Sequence, residues 1–127
     1  MLARGQYYSR QDISRALGGN QEFFLPHVHG RVVCGCFTRA LHPQAPAIVL
    51  PGHGPERERW TTVFCAQWEY VPIFMKQANN AWQYVGNFKV EAWSDDPILL
   101  AIHTIRARRQ DEPIWRVLSL TKDEAHP

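Results

Sequence analysis

His27, His29, Cys34 and Cys36 stand close together in this chain, with His53 and Cys65 further on, and imidazole and thiolate are the donors that zinc prefers. Their spacing matches no zinc-finger pattern, and a cysteine on an apolar strand is equally a small core hydrophobe. With Glu22 or Glu56 as proton carrier the same set would make a zinc-dependent enzyme. The base deaminases that combine such ligands with a glutamate, however, carry His-x-Glu and Pro-Cys-x-x-Cys signatures that are absent here. A cysteine nucleophile would need an acid or asparagine placed by motif to orient its histidine, and none is. The chain therefore reads as a non-enzyme: no catalytic residue, no metal set and no cofactor are assigned.

Two other groups of residues have binding chemistry. Pro51-Gly-His-Gly-Pro55 lacks the lysine and hydroxyl end of a P-loop and the later glycines of a dinucleotide fingerprint. Its backbone amides at a helix start could still hold one phosphate oxygen, with His53 at the centre. Five tryptophans and four tyrosines are more than binding needs, so most are core; Trp60, Phe64 and Trp68 are assigned to packing. Trp82 and Tyr84, flanking Gly86 beside a polar turn, and Tyr7-Tyr8, beside a basic helix, are better placed to stack on a flat base or a cation.

The elements that would position these side chains can be read from spacing. Asn79-Asn80 joins two aromatic-rich runs in residues 70–90 and predicts a hairpin, since asparagine tolerates the left-handed backbone of a tight turn. On the second arm Trp82, Tyr84, Phe88 and Val90 share one parity, which predicts one buried face, and Gly86 marks a bulge, a barrel corner or a close approach. Ser9 and Asp12 predict a helix cap with Ile13, Ala16 and Leu17 on one face, ended by Gly18-Gly19. Strands are expected over 31–37, 47–50 and 114–120. Pro55 opens a second helix carrying Trp60, Val63, Phe64 and Trp68, and Pro97 a third with Ile98, Leu99, Ile102 and Ile105 as its packing stripe. Residues 121–127 are expected to be a flexible tail. The order predicts an α+β fold: a small, mixed, mostly antiparallel β-barrel with about three peripheral helices.

Composition narrows the function classes. At 127 residues, 45% hydrophobic and 20% charged, one domain over residues 1–127 can bury a core without staples. No run is long enough to cross a membrane, and the N-terminus lacks the apolar core of a signal peptide, which predicts a cytoplasmic protein with reduced cysteines. A net charge of +2 is too small for binding driven by charge alone. Arg4, Arg10, Arg15, Arg31 and Arg39 nevertheless make the first forty residues basic, with a second cluster at Arg106, Arg108 and Arg109, and the planar guanidinium suits phosphates and base edges.

On two stretches the chain resembles the modified-base reader domains of the PUA-like superclass, the group that includes the SRA and EVE types and is often fused to restriction nucleases. These are Tyr8-Ser-Arg-Gln-Asp-Ile-Ser-Arg-Ala-Leu-Gly-Gly19, and Val71-Pro-Ile-Phe-Met-Lys76 leading into Trp82-Gln-Tyr-Val-Gly-Asn-Phe-Lys-Val90. The resemblance implies a barrel that holds a nucleobase, sometimes flipped, in an aromatic cage, with DNA favoured over RNA as partner and a nuclease as a possible neighbour. The expected base-binding set is Tyr7, Tyr8, Arg10, Arg31, His53, Trp82 and Tyr84, the arginines positioning the backbone and the rings stacking. The chain departs from these domains in having no nuclease motif and no strongly basic surface. A protein-interaction or small-ligand module is the competing reading, and it gains if the arginines are scattered or salt-bridged rather than lining one groove.

Overall fold

Ser9 accepts a hydrogen bond from the Asp12 backbone N–H at 3.0 Å, and Asp12 accepts one from the Ser9 N–H at 3.1 Å. This reciprocal cap starts helix α1, Arg10–Leu17, as the spacing predicts. The computed structural model describes residues 2–125. Around α1 run β1 (Tyr7–Tyr8), β2 (His27–Val28), β3 (Arg31–Val32), β4 (Gly35–Phe37), β5 (Ile48–Val49), α2 (Pro55–Gln67), β6 (Val71–Ala78), β7 (Ala81–Ser94), α3 (Pro97–Arg106) and β8 (Val117–Lys122). The three helices and the mixed, mostly antiparallel sheet agree with the expected α+β class. None of the helices among the described residues is long and apolar enough to cross a membrane.

The main sheet runs β4-β6-β7-β8-β5, with β1 also on β7. Among the described residues only the β4–β6 pair is parallel. Strand β7 organises it: β6 lies along one edge, while the other edge is shared between β1, which places Tyr8 opposite Trp82, and β8, whose last residue Lys122 lies opposite Phe88. No closed barrel is found in the pairing of the described residues. Among the described residues no ladder joins the edge strands β4 and β5, which are three and two residues long and leave too little edge to meet. Phe37 of β4 and Val49 of β5 nevertheless enter the same core, so the sheet curls around it.

Several expectations need correction, each for a physical reason. Trp82, Tyr84, Phe88 and Val90 do not share a face. Ile73 pairs with Gly86 and Phe74 with Tyr84, leaving Val85 as an extra residue, and this bulge turns the strand over. Trp82 and Tyr84 therefore join the α1-side cluster with Ile13, Cys34, Cys36 and Phe74. Phe88 and Val90 join the α2-side core with Trp60, Phe64, Ile73 and Met75. Gly86, at φ 129°, supplies the backbone freedom for the turn-over.

The single strand expected over 31–37 is two strands. Gln67, the last residue of α2, donates to the Val32 carbonyl and accepts from its N–H, so β3 stays with β2 in a separate ribbon while β4 departs to the main sheet. Trp68 does not pack: it takes a left-handed conformation at the end of α2 and is 57% exposed. Ala16 is exposed, while Ile13 is buried and Leu17 partly so. The isoleucine stripe of α3 faces outward, and Leu99 and Leu100 make its packing contacts. Ile114 forms an isolated bridge to Gly52 rather than a strand. Of the expected tail, Thr121 and Lys122 belong to β8, paired with Lys89 and Phe88; residues 126–127 lie outside the described part.

Candidate functional site

Hydrogen bonds around Arg10 tie the first helix to the hairpin tip. Its backbone N–H donates to Asn80 Oδ1 at 2.9 Å, and its guanidinium donates to the carbonyls of Asn20 and Phe23 at 3.2 and 2.8 Å. The same guanidinium lies 5.3 Å over the Trp82 ring, with Lys76 Nζ at 5.8 Å. Trp82 is 7% exposed, so its ring forms a wall under two cations rather than a free stacking face. Arg10 Nε is buried and has no hydrogen-bond partner among the described residues.

Beside this wall opens a cleft of about 640 Å³, lined by Arg10, Lys76, Asn79, Asn80, Trp82, Cys36, Thr38, Phe24 and His42 among others. A second cleft of about 390 Å³ shares Glu22, Phe24, Leu41 and His42 with it and adds His53, Arg57, Arg109, Asp111 and Glu112. The two adjoin along that shared wall. His42 is buried, and its Nδ1 accepts from the Leu50 N–H at 2.9 Å. Burial and the neighbouring Arg109 push its pKa down to about 3, so it serves as a neutral acceptor. Arg109, also buried, donates to the carbonyls of Glu112, Leu41 and Leu50 at 2.9, 2.8 and 3.0 Å.

The seven residues expected to bind a base are only partly brought together. Arg10 and Trp82 line the larger cleft and His53 the smaller. Tyr84 and Tyr8 lie on the α1-side face of the sheet, packed around Phe74 at centroid distances of 5.5 and 6.1 Å. The Tyr84 hydroxyl donates to Asn87 Oδ1 at 2.6 Å, and burial raises its pKa; the Tyr8 hydroxyl accepts from the Ala3 N–H at 2.7 Å. Tyr7 is exposed. Arg31 is ion-paired with Glu69 at the surface, and Arg15 with Asp12 at 3.5 Å.

The histidine and cysteine set is dispersed, contrary to the zinc reading. His27 stacks on Trp60 at 3.5 Å, His29 occupies an exposed turn at φ 52°, and Cys34 and Cys36 are buried in the α1-side cluster. The hydrogen bond to Cys36, together with burial, pushes the Cys34 thiol far above its ordinary range. Among the described residues no group of three or more histidine, cysteine or acidic side chains could hold a metal ion. At the Gly52-His53-Gly54 turn the Glu58 carboxylate accepts from the Gly54 N–H at 3.0 Å and lies 3.7 Å from His53 Nδ1. The helix start is thus neutralised by a carboxylate of its own chain.

Sequence reasoning missed Lys76, Thr38, His42 and the two asparagines as cleft residues. Asn79-Asn80 carried a turn signal, which says nothing of what the turn faces, and His42 sits in a proline-rich loop with no periodicity to assign it a side.

No protein-family model matches the chain, and no curated protein matches it in sequence. In structure it is similar to the SUVH5 SRA domain, whose crystal structure is a complex with hemi-methylated CG DNA. The TM-score is 0.62 at 10% sequence identity, over 99% of this chain and 91% of that one. The resemblance carried by residues 8–19 and 71–90 therefore extends to the architecture as a whole, and the chain has an SRA-like fold.

Proposed function

We propose that residues 1–127 act as one non-enzymatic, cytoplasmic DNA-binding domain that reads a modified base, with a nuclease as the natural class of functional neighbour. The observation that carries this reading is the fold likeness over nearly the whole chain to a domain seen with hemi-methylated CG DNA. The larger cleft supports it. Its volume of about 640 Å³ falls within the ~300–1,000 Å³ of small-molecule sites and accommodates a nucleotide. Trp82 gives it a rigid wall, Lys76 a cation, and Thr38 and Asn79 polar groups able to pair with a base edge. The unpartnered Nε of buried Arg10 supplies a donor in need of an acceptor. Tyr8 and Tyr84 support Trp82's face of the sheet, while His53 and Arg57 in the adjoining cleft would meet the flanking backbone.

Fluorescence anisotropy with hemi-methylated, fully methylated and unmodified CG duplexes, single strands and RNA tests the proposal. Binding that is tightest for a methylated duplex is expected, and no binding to any of them at low salt would sink it. The alternative, a small-ligand or protein-interaction module, is favoured by the arginines: Arg10 is bonded internally and Arg15 and Arg31 are salt-bridged. Those side chains do not form the single basic groove that charge-driven DNA binding requires.

A further inference from the structure

Helix α3 shows its isoleucines to solvent. Ile98, Ile102 and Ile105 recur at turn spacing along one side and are 71%, 39% and 67% exposed, with Ala101 exposed between them. The opposite side carries Leu99, Leu100 and Ala107 onto the cluster of Leu50, Ile114 and Val117, and the side chain that the helix buries is His103. Scattered exposed apolar residues need no explanation, but a contiguous stripe on one helix marks a surface that is covered in use. Its ends carry opposite charge: Asp95 and Asp96 precede the helix, Arg106 ends it and Arg108 follows just beyond, and all four are exposed. None of them appears among the ion pairs formed by the described residues.

We propose that α3 is a self-association face, pairing antiparallel with α3 of a second copy about a two-fold axis. In such an isologous contact the start of each helix meets the end of the other. Asp95 and Asp96 of one copy then face Arg106 and Arg108 of its partner, twice over, with the isoleucine stripes between. A parallel pairing would set like charges together. The second copy thus supplies the apolar complement from the helix and the charged complement from the residues at and just beyond its two ends.

Sedimentation velocity of the full chain from about 1 μM to about 1 mM tests this, a range chosen because one helix pair buries less than the ~800 Å² per partner of a standard interface. A concentration-dependent dimer is expected. Ile98→Glu, and independently Ile105→Glu, should abolish it while leaving the thermal midpoint unchanged, since these side chains are 71% and 67% exposed. Asp95→Arg with Asp96→Arg should abolish homodimers, as should Arg106→Asp with Arg108→Asp. An equimolar mixture of the two charge-reversed variants should restore association. A chain that stays monomeric throughout, a dimer that survives both glutamate substitutions, or a mixture that fails to associate would overturn the proposal, whether the face is then left bare or covered by a different protein.

Discussion

His42 is the residue whose environment makes the clearest demand. Folded, it takes a proton only near pH 3 because burial and Arg109 oppose the charge; unfolded, it takes one near 6.5. Between those values the unfolded chain binds more protons. Stability is therefore full above about pH 6.5 and falls as pH drops toward 3, by up to about 1.4 kcal/mol per pH unit from this group. Urea unfolding across that window should show the slope, and His42→Asn, which keeps an acceptor for the Leu50 N–H, should flatten it. Trp82 and Trp60 are comparably buried, so alanine at either should cost about 3–5 kcal/mol. Under conditions where both variants stay folded, anisotropy should separate them. Trp82→Ala is expected to lose DNA affinity beyond its unfolded fraction and Trp60→Ala only in proportion to it; equal behaviour would remove Trp82 from the binding wall.

At the scale of elements, the bulge at Val85 decides which rings face which helix. A Cβ on Gly86 would stand 3.0 Å from Lys122 Cε at φ 129°, so Gly86→Ala should destabilise by about 1–3 kcal/mol. It should also shift the near-ultraviolet signal of Trp82 and Tyr84, which a stability loss elsewhere would not. The hairpin, its Asn79-Asn80 turn and the special character of Gly86 were legible because turn chemistry is local. The face change was not, since parity counting assumes an unbroken pleat. Strand β1 is two residues long, too short for any period to register. The break after Val32 depends on Gln67, thirty-five residues away. For α3 the stripe was legible and its direction was not, because periodicity marks an apolar side without saying what covers it. The cleft was the least legible feature: Trp82 and Arg10 could be singled out by type, whereas Lys76, Thr38 and His42 meet them only through the fold.

For the molecule as a whole, the charge that remains available would govern how the proposed DNA partner is met. Among the described residues the cations lining the larger cleft are Arg10, whose guanidinium is bonded internally, and Lys76, so Lys76 is the one left there to meet a phosphate. Few phosphates can then be neutralised, and the dependence of log K on log salt should have a shallow slope of about −2 to −4. Lys76→Ala should reduce its magnitude by about one, measured by anisotropy in a salt series; an unchanged slope would place the phosphates elsewhere. The divided edge of β7 bears on biosynthesis. As the chain emerges from the ribosome, β1 and β6 are already present to cover the first half of β7, whereas the half bearing Phe88 and Val90 must wait until α3 and the loop after it have been made and β8 arrives. In that interval a bare strand edge with apolar side chains is offered to any neighbouring nascent chain, so translation speed through residues 95–122 sets how long the protein is vulnerable to mispairing.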